Sequence, residues 1–228
     1  MIVAIDGPAG AGKSSVARAL AKRLGFQFLD TGAMYRAVAY EGLRREIDWL
    51  DDEALIELSQ TIKIDFRDDR VLIDGVDATD EIRTVKVASH VHFPADNPEV
   101  RAILVDLQRQ FARGRNTVTE GRDQGTIAFP HAQCKIFLTA SPEERARRRW
   151  AELTARGEPL TFDDVLRMQN ARDLRDATRE VGRLERAADA IEFYTDGLTT
   201  EEVVDQLESL VRRKMHDPHT RPAVVSGA

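Results

Sequence analysis

The residues best suited to chemistry lie near the start of the chain, in a loop rich in glycine. The loop comprises Gly7, Pro8, Ala9, Gly10, Ala11, Gly12, Lys13, Ser14 and Ser15. Its spacing matches the phosphate-binding pattern G-x-x-x-x-G-K-[ST], whose glycines let successive backbone N–H groups point at one phosphate. Lys13 can reach the β- and γ-phosphates of a nucleotide, and the Ser14 hydroxyl can ligate Mg²⁺. The sequence therefore predicts a nucleoside triphosphate site with Mg²⁺ as its cofactor.

Apolar runs alternate with helical patterns along the chain. Strands are predicted at residues 2–6, 26–29, 116–120, 134–138 and 189–193. Helices are predicted at residues 13–24, 33–46, 98–113, 142–156, 162–180 and 200–214. Such alternation favours parallel βαβ units. We therefore expect an α/β protein with the three-layer phosphate-loop fold, in which a central parallel sheet carries helices on both faces. Ligands of such sheets bind at the carboxyl ends of the strands, where the glycine loop lies.

One segment breaks the alternation. Residues 62–66 and 70–75 alternate between apolar and polar side chains on either side of a short polar turn at residues 67–69, which is typical of an antiparallel hairpin. We expect residues 60–95 to form a small inserted subdomain within a domain that spans residues 1–215. Residues 216–228 contain two prolines and end in small residues, so we expect a disordered tail.

The composition is that of a globular enzyme and narrows the choice of partners. Of the 228 residues, 42% are hydrophobic and 32% are charged, and the formal net charge is -6. This acidity argues against a nucleic-acid binder, and a protein that handles phosphates on such a background must concentrate its arginines locally. Cys134, the one cysteine, is expected to be a buried strand residue. No apolar stretch approaches about 18 residues, and no targeting segment is recognised, so we expect a cytoplasmic protein without a membrane partner. We also expect a monomer.

Four further segments place arginines beside carboxylates, mostly where a predicted strand ends. They are residues 30–36, 119–126, 143–149 and 172–179. The N-K-x-D motif of switch GTPases is absent from the sequence, and the strand at 116–120 ends in Glu120, where motor and transporter ATPases usually carry an Asp. The clustered arginines instead favour the transfer of a phosphoryl group to a second, anionic substrate.

Several motifs, in their order and spacing, resemble bacterial cytidylate kinases over about residues 1–215. They are Ile5-Asp6-Gly7-Pro8-Ala9-Gly10-Ala11-Gly12-Lys13-Ser14, Asp30-Thr31-Gly32-Ala33-Met34-Tyr35-Arg36, Glu81-Ile82-Arg83, Glu120-Gly121-Arg122-Asp123 and Lys135-Ile136-Phe137-Leu138. The resemblance implies ATP-dependent phosphorylation of CMP and dCMP. It also implies the nucleoside monophosphate kinase fold, with the insertion at 60–95 binding the monophosphate and a short lid at about 150–180.

The same resemblance implies roles for individual residues. ATP would lie on residues 7–15, with Mg²⁺ at Ser14. The residues expected at the transferring phosphoryl group are Lys13, Arg148 and Arg175. Those expected at the CMP phosphate are Thr31, Tyr35, Arg36 and Arg122. The expected readers of cytosine are Arg109, Asp123 and Arg179, and the expected partners of the ribose hydroxyls are Arg172 and Asp176.

The chain also departs from the family pattern. His92 stands where a small hydroxyl residue is expected near the base, and Gln124 replaces an apolar residue after the Arg-Asp pair. These departures bear on base selectivity, so UMP stays open as a co-substrate. The alternative among enzymes is another small-molecule kinase of this fold, acting on UMP, shikimate or dephospho-coenzyme A; shikimate is disfavoured because no glycine triplet stands at a strand end. A regulatory protein that binds ATP without turning it over is the alternative from another class.

Overall fold

The predicted alternation is confirmed in a computed structural model, which describes residues 1–67 and 70–216. Five strands form one parallel sheet in the order β2-β6-β1-β7-β8, and three form an antiparallel sheet in the order β3-β4-β5. The strands are β1 (Ile2–Asp6), β2 (Gln27–Asp30), β3 (Ile64–Arg67), β4 (Arg70–Ile73), β5 (Val76–Asp77), β6 (Thr117–Gly121), β7 (Cys134–Thr139) and β8 (Ile191–Tyr194).

The described residues also contain helices that join and cover these strands. They are α1 (Lys13–Leu24), α2 (Thr31–Arg44), α3 (Asp52–Thr61), α4 (Val85–His90), α5 (His92–Asp96), α6 (Pro98–Ala112), α7 (Pro142–Ala155), α8 (Phe162–Thr178) and α9 (Thr200–His216). A 3₁₀ turn covers Glu81–Arg83 and a π-helical turn covers Gln124–Ala128. No helix within these described ranges is long and apolar enough to cross a membrane.

Two apolar clusters cover the parallel sheet and make the fold three-layered. In the first, α1 and α9 pack on strands β1, β6 and β7, with Leu20 and Leu207 fully buried at the centre. In the second, α2, α3 and α6 pack together around buried Leu29, Val38 and Leu104. Burying both faces is what a parallel sheet requires, because its strands are apolar on both sides.

The register of the sheet brings three loops to one edge. Asp6, at the end of β1, lies beside Gly121 of β6, and Asp30, at the end of β2, lies beside Glu120. The strands are parallel, so the glycine loop, the start of α2 and the segment after β6 all leave from the same carboxyl edge. This is the arrangement that the sequence predicts for the ligand site.

The insertion contains the expected hairpin and a third strand. Strands β3 and β4 pair antiparallel, which confirms the hairpin, and β5 adds a third strand against β4. The hairpin turn at 68–69 and residues 217–228 of the predicted tail lie outside the described residues, while His216 ends α9. The insertion sheet packs on α2 through buried Val71 and Ile73.

Helix α3 is absent from the sequence-based assignment. Its signals are short: Asp51 caps it by accepting the Ala54 N–H at 3.0 Å, and Leu55 and Leu58 give it a buried face of one turn. A helix of this length is marginal alone and is stabilised by packing on α6, a long-range contact that no local pattern reveals.

The glycine loop packs on β7 at Gly7. An ideal Cβ on Gly7, where φ is +151°, would come within 1.9 Å of the Leu138 carbonyl oxygen. We expect Gly7→Ala to lower the free energy of unfolding by about 3 kcal/mol, because neither backbone segment can move aside freely. Gly157→Ala is the matched control, since φ is +79° there and nothing lies within 4 Å. It should cost about 1 kcal/mol. Urea unfolding measures both, and equal losses would contradict the close approach.

Candidate active site

Lys13 is the buried cation of the phosphate loop. Its Nζ donates to the Pro8 carbonyl at 2.8 Å, and the residue is 6% exposed. Burial lowers the pKa of the Lys13 ammonium, and the nearby Arg122 guanidinium lowers it further, while Glu120 opposes the shift. A cation held against such a penalty is poised for a strong anion, because phosphate charge would offset both effects.

Ser14 and Glu120 place two side-chain oxygens next to each other at the phosphate loop. The Ser14 hydroxyl donates to Glu120 Oε1 at 2.7 Å, and burial, aided by Asp30, raises the pKa of Glu120. Hydroxyl and carboxylate oxygens suit Mg²⁺, which keeps several waters and takes further ligands from the substrate phosphates. Within residues 1–67 and 70–216 no group of three or more His, Cys, Asp or Glu side chains could hold a metal. Ser14 and Glu120 are the candidate holders of Mg²⁺ at this loop.

The start of α2 holds a second cationic group. Asp30 caps α2 by accepting the Ala33 N–H at 2.8 Å, and it pairs with Arg36 at 3.1 Å and Arg83 at 3.7 Å. Thr31 does not cap the helix: its hydroxyl donates to the Glu120 carbonyl at 2.7 Å and ties α2 to β6. Arg83 belongs to a motif noted in the sequence, but its side chain could be placed here only from the tertiary structure.

Asp176 of α8 forms ion pairs with three of the arginines predicted at the site. It lies 2.8 Å from Arg122 Nε, 3.2 Å from Arg179 Nη2 and 4.0 Å from Arg172 Nε. Burial alone would raise the pKa of Asp176, but the three guanidinium groups hold it below its ordinary value. The structure thus brings together four residues that the sequence analysis assigned to the phosphate, the ribose and the base.

Beside this cluster, Arg101 of α6 pairs with Asp123. Arg101 Nη2 donates to Asp123 Oδ2, and Nη1 donates to the Ala95 carbonyl at 3.1 Å. Both side chains are almost fully buried, and the Arg101 guanidinium lies 5.4 Å from the centre of the Tyr35 ring. Burial raises the pKa of Tyr35 to about 12, so its phenol is neutral at neutral pH. Arg101 was not among the predicted site residues.

Arg109, one of the three predicted readers of the base, points at the π-helical turn. Its Nε and Nη2 donate to the carbonyls of Ala128 and Ile127, each at 2.9 Å. The side chain therefore caps the end of the π-helical turn, and it is Arg101 that pairs with Asp123. The role of Arg109 as a reader of cytosine stays a prediction. Both arginines lie on α6, and only the packing of α6 against α5 decides which of them faces Asp123.

The remaining predicted residues lie at the rim. His92 is half-buried at the start of α5, with its ring 4.1 Å from that of Phe93. Arg148 donates to the Thr195 carbonyl at 2.7 Å and to its hydroxyl at 2.9 Å, beside the phosphate loop. Arg175 is exposed on α8 and has no ion pair with another residue of the described ranges. The predicted roles of His92, Arg148 and Arg175 stay predictions.

Asp6 fixes the segment that carries Arg122 and Asp123. Its two carboxylate oxygens accept the backbone N–H groups of Gln124 at 2.8 Å and Gly125 at 2.7 Å, which open the π-helical turn. From the other side, the Gln124 side chain accepts from the Thr119 hydroxyl at 2.8 Å and donates to Gln108 at 3.3 Å. Gln124 thus anchors the turn. Asp6 was missed because a lone Asp at a strand end carries no distinctive signal.

The burial of Asp6 predicts a pH-dependent stability. Burial raises the pKa of Asp6 from 3.8 to about 6. The folded protein then binds more protons than the unfolded chain between these values, so the stabilising contribution is complete below the unfolded pKa and is lost as pH rises through about 6. We expect the free energy of unfolding, relative to Asp6→Asn, to fall by roughly 2 to 3 kcal/mol from about pH 4 to about pH 7. Urea titrations across this range measure it, and parallel profiles for the two proteins would contradict it.

Comparison with known proteins indicates the family and the fold. The family model for cytidylate kinase matches residues 3–213. The chain is 52% identical to the cytidylate kinase of Rhodopirellula baltica over 212 residues, which cover 93% of each chain. It is 48% identical to that of Desulfitobacterium hafniense, with 96% of each chain covered. In fold it is similar to an uncharacterized protein from Eubacterium ventriosum, with a TM-score of 0.51, 12% identity, and 93% of this chain and 98% of that one covered. The chain belongs to the cytidylate kinase family.

Proposed function

We propose that this protein transfers the γ-phosphoryl group of ATP to CMP and dCMP, giving the diphosphates and ADP. The observation that carries the proposal is the convergence of cations on the phosphate loop. Buried Lys13 lies within electrostatic range of Arg122 and Arg172, and Arg172 lies within range of Arg36. Mutually repelling cations are gathered in this way where two phosphate groups must be brought together.

Beside these cations, the Arg101–Asp123 pair suits the edge of cytosine. Cytosine presents an amino donor at N4 and acceptors at N3 and O2. The Asp123 carboxylate would accept from the amino group, and the Arg101 guanidinium would donate to the ring acceptors. Uracil carries an acceptor at that position, which would face the carboxylate unpaired, so the pair favours CMP over UMP.

The reaction requires positioning and charge neutralisation more than covalent chemistry. Lys13 would hold the transferring phosphoryl group, and Arg36 and Arg122 would hold the phosphate of the acceptor as guanidinium forks. When bound, Mg²⁺ at Ser14 and Glu120 would neutralise charge on the phosphate oxygens. Arg148 and Arg175 would approach the γ-phosphate from the lid, and closing the lid would exclude water. A general base is not needed, because the attacking group is already a phosphate oxygen.

The direct test is a coupled assay for ADP release with CMP, dCMP, UMP and AMP in parallel. We expect CMP and dCMP to be used with the highest kcat/KM. The absence of turnover with every acceptor, together with tight ATP binding, would favour the regulatory alternative. A cytoplasmic location, a monomeric state and lid boundaries at about 150–180 remain predictions within the proposal.

Replacing the buried cation tests the chemistry. Lys13→Met should lower kcat by at least about a hundredfold, because Lys13 would contact charge that grows in the transition state. The apolar stem of Met fills the same space, so the unfolding midpoint should change little or rise. Steady-state kinetics and thermal unfolding measure the two effects. A kcat within about tenfold of the parent would mean that Lys13 is structural.

The two arginines of α6 offer a matched pair for testing the base site. Arg101→Lys should lower kcat/KM for CMP at least about thirtyfold, since losing a charged hydrogen bond costs ~2 kcal/mol or more. Arg109→Lys, on the same helix, should stay within about threefold, because its partners are carbonyls of the π-helical turn. The dissociation constant for ATP should be unaffected in both. The reverse ranking would restore Arg109 as the reader of cytosine.

A further inference from the structure

A buried guanidinium outside the predicted site joins the phosphate loop to α8. Arg145, on the first turn of α7, is 4% exposed. Its Nε donates to the Ala140 carbonyl at 3.0 Å, and Nη1 donates both to the Ala9 carbonyl at 3.0 Å and to Asp173 Oδ2 at 2.6 Å. One side chain therefore contacts the end of β7, the phosphate loop and the helix that carries the substrate cluster.

The contact with Ala9 orients a peptide of the phosphate loop. In a planar trans peptide the carbonyl and the following N–H point in opposite directions. Holding the Ala9 carbonyl against α7 therefore turns the Gly10 N–H away from α7. The approach is close, because an ideal Cβ on Gly10 would lie 3.0 Å from the Arg145 Cβ. A loop that cradles phosphate with its N–H groups depends on such outward-facing carbonyls being held.

The contact with Asp173 carries the link to α8. Asp173 follows Arg172 directly and lies about one turn before Asp176, so it shares a helix with the substrate cluster. Its Oδ1 is buried without a hydrogen-bond partner among the described residues. A half-buried carboxylate with one unpaired oxygen is sensitive to small movements, because losing its remaining charged partner would leave the whole group unpaired. Arg145 therefore resists a shift of α8 against α7, because such a shift would break its hydrogen bond to Asp173.

We propose that Arg145 and Asp173 are positioning residues that couple the phosphate loop to α8, so that filling the loop with ATP strengthens the binding of the acceptor monophosphate. The inference rests on the proposed function, because it takes CMP as the acceptor. Coupling of this kind is reciprocal, so CMP also strengthens binding at the loop by the same factor. Arg145 acts on Gly10 through the Ala9 carbonyl, and Asp173 acts on Arg172 and Asp176 through α8.

The test measures the dissociation constant of CMP by calorimetry, with and without a non-hydrolysable β,γ-imido analogue of ATP plus Mg²⁺. We expect the analogue to tighten CMP binding at least about fivefold in the parent. Asp173→Asn keeps the size of the side chain and removes its charge. The ratio of the CMP dissociation constants without and with the analogue should then fall to near one. The affinity for the analogue alone should stay within about twofold, because Arg145 still holds Ala9. Arg145→Lys, whose single ammonium cannot reach three acceptors, should lose the coupling and also weaken the analogue alone.

Glu152→Gln is the matched control. Glu152 pairs with Arg149 at 2.9 Å on the exposed face of α7, the helix that carries Arg145. Glu152→Gln should therefore keep the parent ratio. An Asp173→Asn ratio within about twofold of the parent, in a variant that unfolds at the parent temperature, would overturn the inference and leave the proposed function intact. A parent that binds CMP with no effect of the analogue would do the same. A parent that binds no CMP at all would contradict the proposed function itself.

Discussion

Repulsion among cations is the physical constraint on which this site depends. Lysine and arginine side chains are crowded at one edge of the sheet, and their charges would drive them apart without compensation. Several of them are matched by a carboxylate: Lys13 by Glu120, Arg36 by Asp30, and Arg122, Arg172 and Arg179 by Asp176. The chain is acidic overall but locally basic at this site. Phosphate oxygens of a bound substrate would take over contacts that the carboxylates now make with these cations.

This compensation has a cost in stability, and Asp6 illustrates it. The carboxylate is buried, and its raised pKa shows that ionisation is unfavourable there. It is retained at the sheet edge where its two oxygens meet two N–H groups of the turn after Asp123. A neutral amide of the same shape could accept only one of those bonds well, because its amino group would face the other N–H. Geometry at the substrate site is thus obtained at the expense of folding free energy.

The same physics explains what the sequence could and could not predict. Alternating apolar runs and a glycine loop are local signals, so the parallel sheet, the phosphate site and the hairpin of the insertion were predictable. Arg101 and Arg109 are eight residues apart on α6, which separates them by about 80° around the helix axis. Both could face the sheet edge, and only the position of α5 and of the π-helical turn assigns Arg101 to Asp123 and Arg109 to the carbonyls. Arg145 likewise belongs to a run of arginines whose members differ only in the face they present.

The contacts at the site also differ in strength from centre to rim, and this difference indicates which parts move. Arg122 and Asp176 are both largely buried, so separating them would leave a costly unpaired charge. Arg179 also reaches Asp96 on α5 at 2.5 Å, but Asp96 is 51% exposed, and pairs of that kind contribute less than about 1 kcal/mol. The Arg179–Asp96 contact with α5 is therefore the weaker of the two. Opening for substrate exchange should therefore break the Arg179–Asp96 contact before the Arg122–Asp176 contact.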